Sequence, residues 1–281
     1  MDIDGTLVSA DKSTFDNVLV QLRKLRPLGI GFSIATGRTI AGASFVTKQL
    51  QQSGRRLPPM ITYNGAVVLA GRDSTVLKRR LIGAEDFRAV IECCRRRAVE
   101  VTAYACGSDF DFVPRESVYS EAADPSPKDF NGMDVIPVPD LARVDDDFVA
   151  VLVDAKNDAS RLLVLLQGDL GHRLRVTTSG GRYIEICHAM GTKLSAMAEL
   201  AKIQDIGPDE IMAIGDNYND MEMIAGAGVG VAVANAPDAV RSVATFQTSL
   251  PSGQGVVEAL RALARAVRSQ SRQHPPESDV V

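Results

Sequence analysis

The alternation of helical and strand-like hydrophobic patterns is the first feature of this sequence. Apolar residues at helical spacing predict a helix over 15–26, and the segment after it contains proline and glycine, which end helices. Short apolar runs at 30–35 and 60–63 predict buried strands, with a second helix over about 39–52 between them. Strands that alternate with helices are typical of a doubly wound, Rossmann-like parallel sheet, so we expect an α/β fold.

The pattern changes after a predicted pair of strands at 67–81. Residues 82–188 combine helical faces with several strands, of which 148–153 is strongly apolar, and they lack the regular alternation of strand and helix. We therefore predict that residues 82–188 form an inserted α+β domain.

The parallel pattern returns after the insertion. A helix is predicted to begin at Lys193, buried strands at 210–214 and 229–234, and a last amphipathic helix across 256–267. The C-terminal segment is rich in serine, glutamine and proline, a composition typical of disorder. The predicted organisation is a core formed by 1–81 and 189–268, the inserted domain at 82–188, and a disordered tail at 269–281.

Polar residues stand at the ends of the predicted core strands. Asp2 and Asp4 are two positions apart and would share one face of an extended segment, while Thr36 and Asn64 follow the first two strands predicted above. In parallel α/β sheets, ligands bind at the carboxyl ends of the strands. Two neighbouring carboxylates repel each other unless one is protonated or a cation lies between them, and Mg²⁺ would satisfy them. For Asp2 and Asp4 alone, the simpler interpretation is an acidic segment before a turn.

Composition narrows the range of partners. The formal net charge is −4 and aromatic residues make up 5% of the chain, so we predict no nucleic-acid partner. No apolar run reaches the ~18 residues of a membrane span and no signal peptide is recognisable, so no membrane partner is expected. The four cysteines lack metal-ligand spacing, which favours a reduced, cytoplasmic protein.

Four short motifs follow one another along the chain, and each is weak alone. They are Asp2-x-Asp4-Gly5-Thr6, Thr36-Gly37-Arg38, Lys193, and Gly215-Asp216-x-x-Asn219-Asp220. As a set they resemble the haloacid dehalogenase-like phosphohydrolase superfamily. Asn64-Gly65-Ala66, the run over 228–236 and Gly255-Val256 make the chain similar to the Cof-like phosphatase branch, whose large cap is inserted between the second and third motifs. The resemblance implies that the inserted α+β domain at 82–188 is this cap and that it selects the substrate.

The resemblance implies a role for each matched residue. Asp2 matches the nucleophile that forms an aspartyl-phosphate, and Asp4 matches the general acid and base. Mg²⁺ would be held by the Asp2 carboxylate, the Asp4 backbone carbonyl and the Asp216 carboxylate, with Asp220 in support. The remaining matched residues would bind phosphate or substrate: Thr36, Gly37, Asn64, Lys193 and Asn219.

These residues also have ordinary structural interpretations. Thr36 could cap the turn after its strand, and Lys193 could be a solvated helix residue. Asp216 and Asp220 could cap a helix N-terminus, and Asn64 could be a turn former before glycine. The order of the whole set favours function over these alternatives.

Two departures from the family pattern concern Asp2 and Lys193. Family members usually have an apolar strand that runs into the first aspartate, whereas Met1 stands directly before Asp2. We therefore expect the sequence to be N-terminally short. The segment around Lys193 lacks the glycine that often follows the lysine, a departure that we regard as tolerable.

Three functions are compatible with these residues. The leading one is a Mg²⁺-dependent phosphatase of small phosphorylated metabolites, such as sugar phosphates, acting as a monomer or homodimer. A phosphotransferase such as a sugar-phosphate mutase could use the same scaffold and pass the phosphoryl group to a sugar. A catalytically silent metabolite-binding protein is the third, and the missing strand before Asp2 is the reason to consider it. Asn64-Gly65-Ala66 and the cap position favour hydrolysis.

Overall fold

Two compact units make up the chain. The computed structural model describes residues 1–8, 14–54, 56–71, 74–109, 112–122, 133–156, 158–178 and 181–273. The first unit is formed by Met1–Ser33 together with Asp209–Val281, and the second by Ile34–Pro208.

The described residues form helices and strands in alternation at both ends of the chain. The helices are α1 (Phe15–Leu25), α2 (Ser44–Gln52), α3 (Ala84–Arg95), α4 (Ala159–Leu170), α5 (Lys193–Ile203), α6 (Met221–Gly226), α7 (Asp238–Ser242) and α8 (Ser252–Gln273). The strands are β1 (Ile34–Ala35), β2 (Met60–Thr62), β3 (Val67–Leu69), β4 (Val76–Arg79), β5 (Glu100–Ser108), β6 (Pro114–Ser120), β7 (Val135–Pro137), β8 (Phe148–Asp154), β9 (Leu174–Thr177), β10 (Tyr183–His188), β11 (Met212–Gly215), β12 (Val229–Ala232) and β13 (Phe246–Gln247).

A parallel sheet with the strand order β11-β12-β13 lies in the first unit. The N-terminal segment lies beside it, because the N–H of Asp2 donates to the carbonyl of Ile214 at 3.0 Å. Asp2 is therefore next to the carboxyl end of β11. The amphipathic helices α1 and α8 contact each other and bury apolar side chains that include Phe15 and Leu260.

The second unit contains two sheets. In the order β1-β2-β3-β4, the first pair is parallel and the others are antiparallel. The larger sheet has six strands in the order β7-β6-β5-β8-β10-β9, and α3 and α4 share one apolar core with it. In that core the ring of Phe87 stacks on the ring of Phe148 at a centroid distance of 3.8 Å. Ala103 and Ala105 belong to this core, so Tyr104, which lies between them on β5, points to the opposite face of the sheet.

The predicted α/β class with parallel core strands is confirmed, while several predicted boundaries are corrected. The apolar run at 30–35 forms a strand only at Ile34–Ala35, because such a run indicates burial rather than ladder hydrogen bonds. The helix predicted over 39–52 begins at Ser44, after a 3₁₀ turn at Ala41–Ala43. The strand predicted from 210 begins at Met212.

Strands β6 and β7 were missed by the sequence prediction. Glycine, aspartate and proline are frequent around β6, and polar residues occupy most of its positions, so the pattern indicated a loop. The six strands β5 to β10 all fall inside the predicted insertion at 82–188, whose boundaries remain a prediction. Helix α8 continues to Gln273, beyond the predicted core boundary at 268, and residues 274–281 of the predicted tail lie outside the described residues.

Candidate active site

Three carboxylates form a cluster in the first unit. Asp2, Asp216 and Asp220 each place one carboxylate oxygen within 4.8 Å of the others. Asp2 is 5% exposed and Asp220 is fully buried. Asp216 directly follows β11, and Asp220 ends the short 3₁₀ turn after it. Carboxylates this close repel one another unless a proton or a cation lies between them, so the cluster has the chemistry of a cation site.

A hard divalent cation fits this donor set. The three side chains offer only carboxylate oxygens, which are the ligands that Mg²⁺ prefers. Gly5 lies close against the cluster: its φ is +76°, and a Cβ there would lie 2.2 Å from Oδ2 of Asp216. Glycine therefore lets the backbone approach the carboxylate at this position.

Two further side chains hold Asp216, and the sequence analysis assigned a role to neither. The hydroxyl of Thr6, which is fully buried, donates to Oδ1 of Asp216 at 2.6 Å. The amide Nδ2 of Asn235 lies 3.3 Å from Oδ2 of Asp216 and donates to the carbonyl of Gly5 at 3.0 Å. Asn235 follows the end of β12. Its place after a parallel strand is the signal that could have identified it.

The carboxylate of Asp220 has a structural role as well. Its Oδ2 accepts the backbone N–H groups of Asp216 at 3.1 Å and of Asn217 at 3.0 Å. Asp220 therefore caps the turn after β11 and also belongs to the acidic cluster, so the two interpretations of this residue are compatible. Asn219 lies half-buried in the same turn, Tyr218–Asp220.

The side chain of Asp4 is exposed and is not one of the clustered carboxylates. Asp4 stands in a tight turn, in which the N–H of Gly5 donates to the carbonyl of Val8 and the N–H of Val8 to the carbonyl of Ile3, both at 3.0 Å. An exposed carboxyl group can exchange protons with water and with a bound substrate, as a general acid and base must.

The second unit brings Thr36, Gly37 and Asn64 together. Thr36 follows β1, is 1% exposed, and its hydroxyl accepts the N–H of Arg38 at 3.1 Å. The N–H of Asn64 donates to the carbonyl of Thr36 at 3.0 Å. A Cβ on Gly37 would lie 3.0 Å from the side-chain oxygen of Asn64. The backbone at 36–37 and the Asn64 side chain therefore form one polar surface.

Lys193 begins helix α5 in the same unit. Its side chain is 1% exposed, so the interpretation as a solvated helix residue is wrong. Thr192 caps this helix and accepts the N–H of Ser195 at 3.0 Å. The turn at Gly65 packs closely on that cap: its φ is +111°, and a Cβ there would lie 2.1 Å from the carbonyl oxygen of Thr192. This contact places the start of α5 against the turn that carries Asn64.

Two carboxylates of the six-stranded sheet also reach this turn, and no sequence motif indicated them. The side-chain amide of Asn64 donates to Glu185, and the hydroxyl of Tyr63 donates to Glu116. The ring of Tyr63 meets the ring of Tyr104 edge-on at 6.2 Å. Burial, followed by the charge of Glu116, raises the pKa of Tyr63 well above its ordinary value, so this phenol stays protonated and donates.

Comparisons with known proteins cover nearly the whole chain. A family described as haloacid dehalogenase-like hydrolase matches residues 1–260. A phosphoglycolate phosphatase of Methanoculleus marisnigri is 26% identical over 260 residues, which cover 92% of this chain and 93% of that protein. The 5-amino-6-(5-phospho-D-ribitylamino)uracil phosphatase YcsE of Bacillus subtilis is 26% identical over 262 residues, with 93% of each chain covered.

The fold is also found among solved structures. The crystal structure of a haloacid dehalogenase-like hydrolase from Bacteroides thetaiotaomicron matches with a TM-score of 0.76 at 24% identity, over 93% of this chain and 97% of that one. Among the described residues, no helix combines the length and the apolar character needed to cross a membrane.

Proposed function

Because this chain belongs to the haloacid dehalogenase-like hydrolase family, we propose that it is a Mg²⁺-dependent phosphatase that hydrolyses phosphate monoesters of small metabolites through an aspartyl-phosphate. The observation that carries the proposal is the cluster of Asp2, Asp216 and Asp220, whose carboxylate oxygens lie within 4.8 Å of one another. Membership of this family makes the chain a phosphohydrolase. The parts that we propose are its dependence on Mg²⁺, its aspartyl-phosphate intermediate and its substrate class.

The cation would be held by the carboxylates of Asp2 and Asp216 and by the backbone carbonyl of Asp4, with Asp220 behind them. When bound, Mg²⁺ neutralises charge on the transferring phosphoryl group and orients it. Thr6 and Asn235 support this assignment, because their hydrogen bonds fix the orientation of the Asp216 carboxylate. Residues that orient a metal ligand in this way commonly change metal affinity when they are replaced.

Asp2 is the proposed nucleophile. One of its carboxylate oxygens attacks phosphorus, the bond from phosphorus to the leaving oxygen breaks, and Asp4 gives its proton to that oxygen. In the second half-reaction the Asp4 carboxylate takes a proton from water, the water oxygen bonds to phosphorus, and the bond to Asp2 breaks. Inorganic phosphate and free Asp2 are the products. The exposure of Asp4 supports its role, because the leaving group and then the attacking water must both reach this carboxyl group.

The phosphate-binding groups that we propose are those of the second unit together with Asn219. The buried Thr36 hydroxyl and the buried Lys193 ammonium are suited to bind phosphate oxygens, and the ammonium would also offset their charge. Gly37 lets the backbone lie close against the Asn64 side chain, which supports contact of both residues with the phosphate or the leaving group. Small phosphorylated metabolites are the proposed substrates, because the two relatives named above are phosphatases of such compounds.

The experiment is turnover of an aryl phosphate by the purified full chain in the presence of Mg²⁺. We expect release of inorganic phosphate that stops when a chelator is added and returns with added Mg²⁺. A screen of phosphorylated metabolites, with product analysis on a sugar bisphosphate, would then separate hydrolysis from phosphoryl transfer to a sugar. Turnover that continues unchanged with chelator would contradict the proposed metal dependence.

A further inference from the structure

Glu116 connects the six-stranded sheet to the two turns that carry the proposed phosphate-binding residues. It lies on β6, and its carboxylate accepts the backbone N–H of Ile40 through Oε1 and that of Ala41 through Oε2, both at 2.7 Å. The hydroxyl of Tyr63 donates to Oε1 as well. Both carboxylate oxygens are therefore used, and all three donors come from outside the sheet.

The donors belong to two turns that are hydrogen-bonded to each other. Ile40 and Ala41 end the segment 36–41, which begins with Thr36 and Gly37. Tyr63 opens the turn Tyr63–Gly65, which contains Asn64. The N–H of Tyr63 donates to the carbonyl of Arg38, and that of Asn64 to the carbonyl of Thr36, both at 3.0 Å. Glu116 thus binds Tyr63, which is next to Asn64, and it binds the end of the segment that begins with Thr36 and Gly37.

The conformation of the Tyr63 turn requires such support. Tyr63 has a φ of +50° and Asn64 a φ of +55°. A bulky side chain rarely adopts this left-handed region, and such a conformation persists only where the surroundings hold it. The surroundings of Tyr63 are the ring of Tyr104 on β5 and the carboxylate of Glu116 on β6.

We propose that Glu116 is a positioning residue for phosphate binding: its carboxylate holds the segment 36–41 and the turn Tyr63–Gly65 in the arrangement that presents Thr36, Gly37 and Asn64 to a phosphate group. The inference rests on the proposed function, since it assigns phosphate to these turns. It implies that contact with β6 is a condition for tight phosphate binding. The six-stranded sheet would then contribute to recognition of the phosphate, in addition to the substrate selection expected of 82–188.

A matched control lies next to the same strand. Glu121 directly follows β6, and its carboxylate accepts the backbone N–H of Leu141 at 2.6 Å and pairs with Arg95. Glu121 therefore resembles Glu116 in charge and in its bond to backbone, while its partners Arg95 and Leu141 lie outside the segment 36–41 and the turn Tyr63–Gly65. Replacing Glu121 removes comparable bonds and leaves the 36–41 segment untouched.

The experiment measures binding of inorganic phosphate by calorimetry, which needs no turnover. Full-length Glu116→Gln, Glu116→Ala and Glu121→Gln are compared with the native chain in buffer that contains Mg²⁺. We expect Glu116→Ala to bind phosphate about tenfold more weakly, because the half-buried N–H groups of Ile40 and Ala41 lose their acceptor. Glu116→Gln keeps one acceptor oxygen and should fall between that variant and the native chain, while Glu121→Gln should bind like the native chain.

Amide hydrogen exchange provides a second measurement on the same samples. The amides of Ile40 and Ala41 should exchange faster in both Glu116 variants than in the native chain. In Glu121→Gln their exchange rates should equal those of the native chain. A purely structural role would lower the melting temperature and leave phosphate affinity of the folded protein unchanged, and that result would overturn the proposal. Failure of the native chain to bind phosphate would also overturn the proposal for Glu116. The proposed function is tested separately, because a native chain that hydrolyses an aryl phosphate is still a phosphatase whatever the result for Glu116.

Discussion

The hydroxyl of Thr6 donates a hydrogen bond of 2.6 Å to Oδ1 of Asp216, and the two residues are 210 positions apart in the chain. The bond joins the N-terminal acidic motif to the acidic motif after β11. It leaves Oδ2 of Asp216 directed toward Gly5 and Asn235. The orientation of one proposed metal ligand is therefore set by a side chain that neither bears charge nor touches the substrate in the proposed mechanism.

Replacing Thr6 with valine tests this relationship. Valine has the shape of threonine without the hydroxyl, so Thr6→Val should leave the packing intact and free the Asp216 carboxylate to rotate. We expect the Mg²⁺ concentration for half-maximal activity to rise about tenfold. Thr6→Ser keeps the donor and serves as the control. An unchanged Mg²⁺ titration in Thr6→Val would show that the bond does not orient a metal ligand.

Gly5 provides a separate test, because two glycines in the first unit share a conformation and differ in their surroundings. Gly5 has a φ of +76° with Asp216 against it, whereas Gly29 has a φ of +74° with nothing within 4 Å. Both alanine variants should lose about 1 kcal/mol of stability through backbone strain. Only Gly5→Ala should also lose Mg²⁺ binding and activity, because its Cβ would displace the Asp216 carboxylate. Equal activity of the two variants in a phosphate-release assay would contradict the account.

Lys193 tests the proposed phosphate ligands in the second unit. Lys193→Met keeps most of the volume and removes the charge, so we expect kcat/KM to fall on the order of a hundredfold. Lys202 lies exposed on the same helix, and Lys202→Met should behave like the native chain. If Lys193→Met had a lower melting temperature and an unchanged kcat/KM, this side chain would contribute to folding alone, and the proposed role in phosphate binding would be wrong.

The cysteines lead to a prediction about pH. All four are free and buried, and burial raises the pKa of Cys94, Cys106 and Cys187 from 9.0 to about 12. These groups stay protonated in the folded chain at a pH where unfolded thiols ionise. Their contribution to stability is therefore complete below pH 9.0 and is lost as pH rises toward about 12.

Reaction with a thiol reagent at about pH 8 measures this directly, because the thiolate is the reactive form. We expect the native chain to react slowly and the chain in denaturant to react at all four cysteines. Fast reaction of any cysteine in the native chain would contradict the burial described above.

The acidic cluster could be predicted from sequence because its members stand in short motifs at strand ends. Asp2 follows from the rule that polar groups gather at the carboxyl ends of parallel strands, whereas Asp216 and Asp220 were indicated by the resemblance of their motif to the family. Thr6 and Asn235 stand inside or beside the same patterns and were not given roles. Their hydrogen bonds depend on side-chain directions that no spacing encodes.

Glu116 and Glu185 could not be predicted in the same way. They lie on β6 and β10, and their partners are 76 and 121 positions away in the sequence. No strand was predicted at β6, because most of its residues are polar and only two of its positions are buried. A strand whose polar face meets another part of the fold lacks the hydrophobic alternation on which the prediction depends.

The measurement that tests the central claim most directly is aryl phosphate hydrolysis by Asp2→Asn. An amide is a poor nucleophile and a poor Mg²⁺ ligand, so activity should fall by about a thousandfold or more. The control is Asp238→Asn, which changes the same functional group at a side chain that is 91% exposed and pairs with Arg241. Loss of activity in Asp2→Asn with native activity in Asp238→Asn is the predicted result, and full activity in Asp2→Asn would contradict the account.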